Sequence, residues 1–249
     1  MPRPGIDKAR LAALPLFDQL DGATLDAVLA ASRPLFVEAR HVLTSTGDPV
    51  PMVLVVVSGR VQIATESSTG DRSLLGVLGA GTVIGDAALL DPGGYAIEGG
   101  RFAVTVTAVE DVLYLAIDAR AFRRLLDTDV RFAGNVARVL ARRLRMMIVR
   151  DAWLATLDLP VRLARFITWL ADNEAGRGAG DAELSLRISQ DSLGKLVGAT
   201  RESINKHLRD WARRGIVEYV AGRIRILDLA ALRALAARSI ETLPIRENQ

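Results

Sequence analysis

Cysteine is absent from this 249-residue chain, and histidine occurs only twice, as His41 and His207. The first absence excludes disulfides, thiolate nucleophiles and cysteine-ligated zinc or iron–sulfur centres. The second leaves little material for histidine-rich metal sites or histidine-dependent catalysis, because the two residues are far apart in the sequence. No paired carboxylates and no nucleophile–base pattern occur in a recognisable setting. We therefore expect no enzyme, no metal and no cofactor.

Long apolar runs are missing as well. Stretches such as Met52–Val57 fall far short of the ~20 apolar residues that a membrane-spanning helix needs. The N-terminus has no basic stretch followed by an apolar block, which is the pattern of a secretory signal. Since 50% of the residues are hydrophobic and 24% are charged, we expect a soluble cytoplasmic protein with one large domain or two ordinary ones and no membrane partner.

Lysine is scarce, since only Lys8, Lys195 and Lys206 accompany the arginines among the 32 basic residues. The net charge of +3 hides an uneven distribution: residues 160–249 hold 15 basic and 11 acidic side chains, and the rest of the chain holds 17 and 18. Clustered guanidinium groups suit phosphate binding, although an arginine-rich chain can also mirror genomic base composition. The C-terminal part is therefore the candidate for contact with nucleic acid.

Residues 35–117 contain short β-rich runs that are separated by glycine turns. The runs are 35–37, 53–57, 61–63, 74–78, 104–106 and 112–117. Short strands at regular spacing predict an antiparallel sandwich or barrel. A helical pattern from about 11 to 31 precedes them, with an N-terminal signal at Asp21 or Thr24.

After Asp118 the pattern becomes helical, and it continues from residue 130 to about residue 157. Apolar residues repeat there at intervals of three, four and seven, as Val136, Leu140, Leu144, Met147 and Leu154. A helix of this length with one narrow apolar seam needs a partner, so we expect a homodimer that forms along the seam. The alternative is that the seam packs on the chain's own barrel.

The basic segment beyond a break at 157–160 reads as helix, tight turn, helix. Ser189 can cap a first helix that Gly198 ends, and Thr200 can cap a second helix that runs to about Arg214. Ile204, Leu208 and Trp211 share one face of the second helix for packing. Residues 216–227 then form a hairpin around Ala221-Gly222, so the segment is predicted to be a winged helix-turn-helix.

Arginine and glutamate in the first turn of the second helix suit DNA reading. Arg201 can donate two hydrogen bonds to guanine, Glu202 can accept from cytosine N4, and Lys206 lies one turn further along. Helix N-termini and hydroxyl groups can hold phosphates. The expected contacts to the DNA backbone are Ser189, Thr200, Ser203, Asn205 and Arg209. The alternative is that Arg201 and Glu202 are only a solvated pair on a surface helix.

Residues 188–206, Ile-Ser-Gln-Asp-Ser-Leu-Gly-Lys-Leu-Val-Gly-Ala-Thr-Arg-Glu-Ser-Ile-Asn-Lys, resemble the DNA-binding signature of the Crp/Fnr superfamily of bacterial transcription regulators. The likeness extends to residues 15–17, 57–61, 79–86 and 141–144. It implies an α+β fold: a cyclic-nucleotide-binding-like β-roll (a double-stranded β-helix or jelly roll) over 1–129, a dimerisation helix over 130–157 and a winged helix-turn-helix over 158–249.

The resemblance also implies roles for the residues expected to contact DNA bases. Arg201 and Glu202 match the family's guanine and cytosine readers, which implies a half-site resembling GTGA in a palindromic operator. Lys206 stands where a second arginine is found in the family. Lysine keeps the charge but loses the bidentate fork, so discrimination at that base should be weaker or the preferred base different. RNA polymerase is a further partner that the resemblance implies.

The nucleotide cassette of the family is altered in this sequence. Nucleotide-binding members have Gly-Glu for the ribose and Arg-Ser or Arg-Thr for the cyclic phosphate, whereas this chain has Gly85-Asp86 and a loop, 92–100, about six residues longer than the pattern. Phe102 falls on the arginine position and Ala103 on the hydroxyl position. Because a buried phosphate without a cation is costly, we expect a regulator that cyclic AMP does not gate.

Arg101 lies one residue from the phosphate position, but neighbours along a strand point to opposite faces. Met147 and Ile148 replace two hydroxyl residues at positions that contact the adenine in the family. One alternative is a nucleotide-responsive regulator that binds cyclic AMP, cyclic GMP or a cyclic dinucleotide in an altered pocket with Asp86 and Arg101. The other is a protein-interaction module with weak DNA binding.

Overall fold

A computed structural model describes residues 5–66, 72–91, 100–175 and 185–237. The chain divides into two compact units, 1–144 and 145–249. No described helix has the length and apolarity that crossing a membrane requires. The helices of the first unit begin with α1 (Lys8–Ala12), a 3-10 turn (Pro15–Phe17) and α2 (Gly22–Ala30).

The helical pattern predicted over about 11–31 is divided among these three short elements. Pro15 opens the 3-10 turn because proline has no backbone N–H to continue a helix. Asp21 then starts α2, since its carboxylate accepts a hydrogen bond from the backbone N–H of Thr24 at 2.7 Å. The predicted start signal at Asp21 is confirmed.

Eight strands of the β-roll lie within the described residues of the first unit. They are β1 (Ser32–Val37), β2 (Val42–Thr44), β3 (Met52–Ser58), β4 (Val61–Glu66), β5 (Arg72–Leu78), β6 (Val83–Ile84), β7 (Thr105–Ala108) and β8 (Val112–Asp118). Two four-stranded antiparallel sheets result, in the orders β1-β8-β3-β6 and β2-β7-β4-β5. The predicted roll architecture is confirmed.

Strands β3 and β8 are apolar on both faces because each face covers a different core. Val53 and Val55 of β3 pack in one cluster with the N-terminal helices and with Phe132. Leu54 and Val56 pack in a second cluster inside the roll. Continuous rather than alternating hydrophobicity is what a strand buried on both faces requires.

Helix α3 (Asp86–Leu90) lies between β6 and β7. Helix α4 (Ala119–Thr128) and the long helix α5 (Val130–Thr156) come after β8. Asp129 begins α5, since its carboxylate accepts from the backbone N–H of Phe132 at 2.9 Å and from the Thr24 hydroxyl at 2.9 Å. These hydrogen bonds lower the pKa of Asp129. The first turns of α5 belong to the roll's core, where Asn135 is buried and donates to the carbonyls of Leu16 and Asp18 at 3.0 and 2.9 Å.

Val136 was predicted to lie in the dimer seam, and the structure corrects this prediction. Its side chain is buried in the roll's own core, next to the half-buried Leu140, and is unavailable to a partner. The apolar side chains of the seam that the structure leaves exposed are Leu144, Met147 and Leu154. The exposed part of the seam is therefore confined to the C-terminal half of α5.

The described part of the second unit contains the end of α5, further helices and a small sheet. Its elements after α5 are α6 (Leu159–Ala175), β9 (Ser185–Arg187), α7 (Gln190–Val197), α8 (Arg201–Arg213), β10 (Val217–Val220), β11 (Arg223–Ile226) and α9 (Leu229–Ala237). The antiparallel sheet has the order β10-β11-β9. This is the predicted winged helix-turn-helix, with α7 and α8 as its two helices and β10–β11 as its wing.

Candidate nucleic-acid interface

The turn between α7 and α8 is built from the predicted caps. The Ser189 hydroxyl accepts from the backbone N–H of Ser192 at 3.0 Å, and the Thr200 hydroxyl accepts from that of Ser203 at 3.2 Å. Gly198 ends α7 with φ 64°, a left-handed conformation that favours glycine. Gly194 allows the turn to approach closely, since a Cβ there would lie 2.5 Å from the carbonyl oxygen of Ala199.

Helix α8 has one buried face and one exposed face. Ile204, Leu208 and Trp211 are almost completely buried, as the spacing predicts. The opposite side, which we call the reading face, comprises Arg201, Glu202, Asn205, Lys206 and Arg209. Four of these five residues are exposed and Asn205 is half-buried. The structure therefore brings the three predicted base readers together on one solvent-facing surface.

Positive charge in this unit is only partly neutralised by neighbouring carboxylates. Lys195 pairs with Asp191 at 3.0 Å, Arg213 and Arg214 pair with Asp210, and Arg225 pairs with Glu218 at 2.8 Å. Within the part of the chain that the structure describes, no ion pair involves Arg201, Lys206, Arg209 or Arg223. The reading face and the wing therefore carry cations that no described carboxylate neutralises.

The hydroxyl groups predicted to contact phosphates also hold each other. The Ser189 hydroxyl donates to that of Ser192 at 2.8 Å, and the Thr200 hydroxyl donates to that of Ser203 at 3.1 Å. Ser189 and Thr200 are exposed and Ser203 is half-buried. All three lie at the N-termini of α7 and α8, where backbone N–H groups without helical partners favour an anion.

His207 lies beside the reading face. Burial lowers the pKa of His207, the positive charge of Lys206 lowers it further, and Asp210 acts in the opposite direction. Its ring is 6.4 Å from that of Trp211. This imidazole is therefore held mainly neutral near pH 7 while it stands next to a cationic surface.

Phe102, which falls on the arginine position of the nucleotide cassette in the sequence, is buried inside the roll. Phe102 is 6% exposed and packs with Leu54, Val56 and Tyr114. Gly85 has φ 91° and approaches so closely that a Cβ there would lie 3.1 Å from Cε1 of Phe102. Arg101 turns outward and donates to the carbonyl of Gly47 at 2.7 Å, and Ala103 is exposed.

Asp86 faces a cation that the sequence reasoning did not assign to it. It is 2% exposed, and its Oδ1 lies 3.2 Å from a guanidinium nitrogen of Arg143, which also donates to the carbonyl of Val83 at 2.7 Å. Oδ2 of Asp86 is buried and has no hydrogen-bond partner among the described residues. Of the lengthened loop 92–100, all but its last residue lies outside the described residues.

Comparison with known proteins shows which family the chain belongs to. The profile of the Crp-like helix-turn-helix domain matches residues 161–235, and that of the cyclic nucleotide-binding domain matches residues 34–129. The transcriptional regulator LdrP of Thermus thermophilus is 32% identical over 155 residues, which cover 60% of this chain and 75% of LdrP. The chain belongs to the Crp/Fnr family.

Other relatives agree with that assignment. A CRP-like cAMP-activated global transcriptional regulator of Mycobacterium tuberculosis is 28% identical over 218 residues, 88% of this Crp/Fnr protein and 94% of the relative. The crystal structure of a CRP-family transcriptional regulator from Thermus thermophilus superimposes with a TM-score of 0.65 at 25% identity, covering 83% of this chain and 98% of that one. The protein is thus a DNA-binding transcription regulator of the Crp/Fnr type.

Two features of this Crp/Fnr regulator were missed by sequence reasoning. Arg143 is one of several arginines along α5, and only the fold shows that it meets Asp86, which is 57 residues away in the sequence. Arg223 was placed in the wing hairpin without a role, yet it is exposed and has no ion pair among the described residues. Its position at the tip of a basic hairpin could have suggested a backbone contact.

Proposed function

We propose that this Crp/Fnr regulator binds a palindromic operator as a homodimer, with Arg201 reading guanine, Glu202 reading cytosine and Lys206 contacting a neighbouring base. The observation that carries the proposal is the reading face of α8, whose cations are exposed and have no ion pair among the described residues. Other basic residues of the unit, such as Arg213, Arg214 and Arg225, pair with carboxylates. Twofold symmetry would place two such helices one DNA turn apart, roughly 34 Å.

The exposed apolar side chains of α5 support the homodimer. Leu144, Met147 and Ile148 are 59%, 54% and 60% exposed. Large apolar groups in contiguous helical positions are unfavourable in water and are stabilised by a second helix of the same kind. Because the family consists of transcription regulators, we also propose RNA polymerase as a partner and the cytoplasm as the location.

Operator binding is tested with fluorescently labelled duplexes built from GTGA-like half-sites. Arg201→Ala should lose about 1–3 kcal/mol of binding free energy, and the loss should concentrate at one base pair. Arg213→Ala is the matched control, because Arg213 is on the same helix but pairs with Asp210. An equal loss on specific and random duplexes would show that Arg201 does not read a base.

Salt dependence separates this function from that of a protein-interaction module. A dimer that neutralises several phosphates releases counterions, so its affinity should fall steeply as the salt concentration rises. A flat dependence would favour the interaction module.

We also propose that cyclic AMP does not gate DNA binding. The buried phenyl ring of Phe102 and the outward-turned Arg101 support this, because neither offers a cation to a cyclic phosphate. Titration of the purified protein with cyclic AMP should give no binding heat, and operator affinity should be the same with and without it. Operator binding that requires the nucleotide would refute this part of the proposal.

A nucleotide-responsive regulator remains the second candidate. Two observations favour it. Oδ2 of Asp86 is buried and has no hydrogen-bond partner among the described residues. The chain is also similar to a cAMP-activated regulator. Cyclic GMP and cyclic di-GMP in the same titration extend the test to other nucleotides. Binding of one of them that Asp86→Asn abolishes would support this candidate.

A further inference from the structure

Arg162 ties the end of α5 to the helix-turn-helix. This residue lies in the first turn of α6. One of its guanidinium nitrogens donates to the carbonyl of Leu157 at 2.9 Å, and the same nitrogen lies 3.5 Å from the carbonyl oxygen of Leu154. The other nitrogen reaches the carbonyl of Gly198, in the turn between α7 and α8, at 3.4 Å. Carbonyls at the C-terminus of a helix lack helical partners and carry partial negative charge, so a cation is well suited to them.

The end of α5 also packs directly against the turn between α7 and α8. A Cβ on Gly198 would lie 2.9 Å from Cδ2 of Leu154, so α5 approaches the turn as closely as a glycine allows. The cavity left between Leu154, Phe166, Leu196 and their neighbours is only about 10 Å³. That is scarcely the space of one water molecule, so the contact is well packed.

Arg165, one turn after Arg162, makes a second connection. Its guanidinium carbon lies 5.9 Å from the ring centre of Trp153 in α5, which is a cation–π distance. Its Nε donates to the carbonyl of Ala236 in α9 at 2.7 Å. Two arginines of α6 therefore hold the last turns of α5, the turn before α8 and helix α9 together.

We propose that Arg162 and Arg165 form a clamp that fixes α8 at a set angle to the end of α5, and that the clamp thereby determines which half-site spacing the dimer accepts. The inference rests on the proposed function, since spacing matters only to a dimer on two half-sites. In the dimer, α5 carries the contact to the second copy, so any rotation of α8 about the end of α5 changes the distance between the two reading faces. Arg162 is a positioning residue in this scheme and does not touch DNA.

The test uses the full-length dimer and a set of duplexes whose two half-sites are separated by the best spacer or by one base pair more or fewer, together with a single half-site duplex. Wild-type protein should prefer one spacing by about tenfold or more. Arg162→Gln should reduce that preference several-fold and leave the affinity for the single half-site unchanged within about twofold. A purely structural loss would lower both affinities together.

Two variants bracket the result. Arg201→Ala should lower the affinity at every spacing and preserve the preference for one spacing. Arg233→Gln breaks a surface pair with Asp172 and should change neither the affinity nor the spacing preference. If Arg162→Gln does not fold, Arg165→Gln removes the contacts to Trp153 and to the carbonyl of Ala236 and should reduce the preference in the same way. An unchanged preference in the folded variant overturns the clamp. A wild-type protein that is monomeric or indifferent to spacing instead refutes the proposed function on which the clamp rests.

Discussion

Ala221 has a left-handed backbone conformation, which is unusual for alanine. It has φ 49° and precedes Gly222 at φ 76°, so the wing turns through two successive left-handed residues. Such a two-residue turn matches the twist of a hairpin and normally has asparagine or aspartate before the glycine. Alanine has a Cβ that clashes in this conformation, at a cost of about 1–2 kcal/mol.

Ala221→Asn should therefore raise the free energy of unfolding by about 0.5–1 kcal/mol, because asparagine adopts the left-handed conformation more readily. Denaturant unfolding measures the change. The same substitution at the exposed Ala234 of α9 is the control, and it should lower stability since asparagine is a poorer helix former than alanine. Destabilisation by both would mean that the turn does not strain Ala221.

We expect His207 to make DNA affinity dependent on pH. Burial and Lys206 lower its pKa, so lowering the pH through that value adds a positive charge beside the reading face and should tighten operator binding. Folding responds in the opposite direction: the unfolded chain binds this proton more readily, so the stability due to neutral His207 is lost as the pH falls. His207→Gln should flatten the affinity profile below about pH 6.5, where the lowered pKa of His207 places its protonation, whereas His41→Gln should leave the profile unchanged.

At the scale of elements, the helix-turn-helix was predictable because its determinants are local. Ser189, Gly198 and Thr200 each act within three or four residues of their own position, through a side-chain cap or a left-handed backbone. The short strands β2 and β6 were not predicted. Their pairing is set by β7 and β3, which are distant in the sequence.

Thr200→Ala removes the cap of α8 and should lower the free energy of unfolding by about 1 kcal/mol. Operator affinity should fall too, because Arg201 and Glu202 lie in the turn that frays first. Denaturant unfolding and duplex titration measure the two effects. Thr200→Ser is the matched control, since serine keeps the hydroxyl that accepts from the backbone N–H of Ser203. A full loss in the serine variant would show that the methyl group, and not the cap, is what matters.

At the scale of the whole molecule, the exposed stretch of α5 is expected to hold two copies together. Leu144→Asp places a charge in that stretch and should convert the dimer to a monomer and abolish binding to the two-half-site operator. Sedimentation or light scattering gives the mass. Arg142→Asp is the control, because two residues along a helix lie about 200° apart and Arg142 therefore faces away from Leu144. An unchanged dimer mass for Leu144→Asp would exclude this part of α5 from the interface.

The sequence by itself determined the architecture, the family resemblance and the reading face, because caps, helical periodicity and turn residues act over a few positions. Only the tertiary structure decided which arginines are neutralised, that Val136 belongs to the roll's core, that Phe102 is buried while Arg101 turns outward, and that Arg162 joins α5 to the turn before α8. Asp86 and Arg143 illustrate the reason, since they are separated by 57 residues in the chain yet lie 3.2 Å apart. A local pattern carries no information about such a pair, because the fold of the roll brings its two members together.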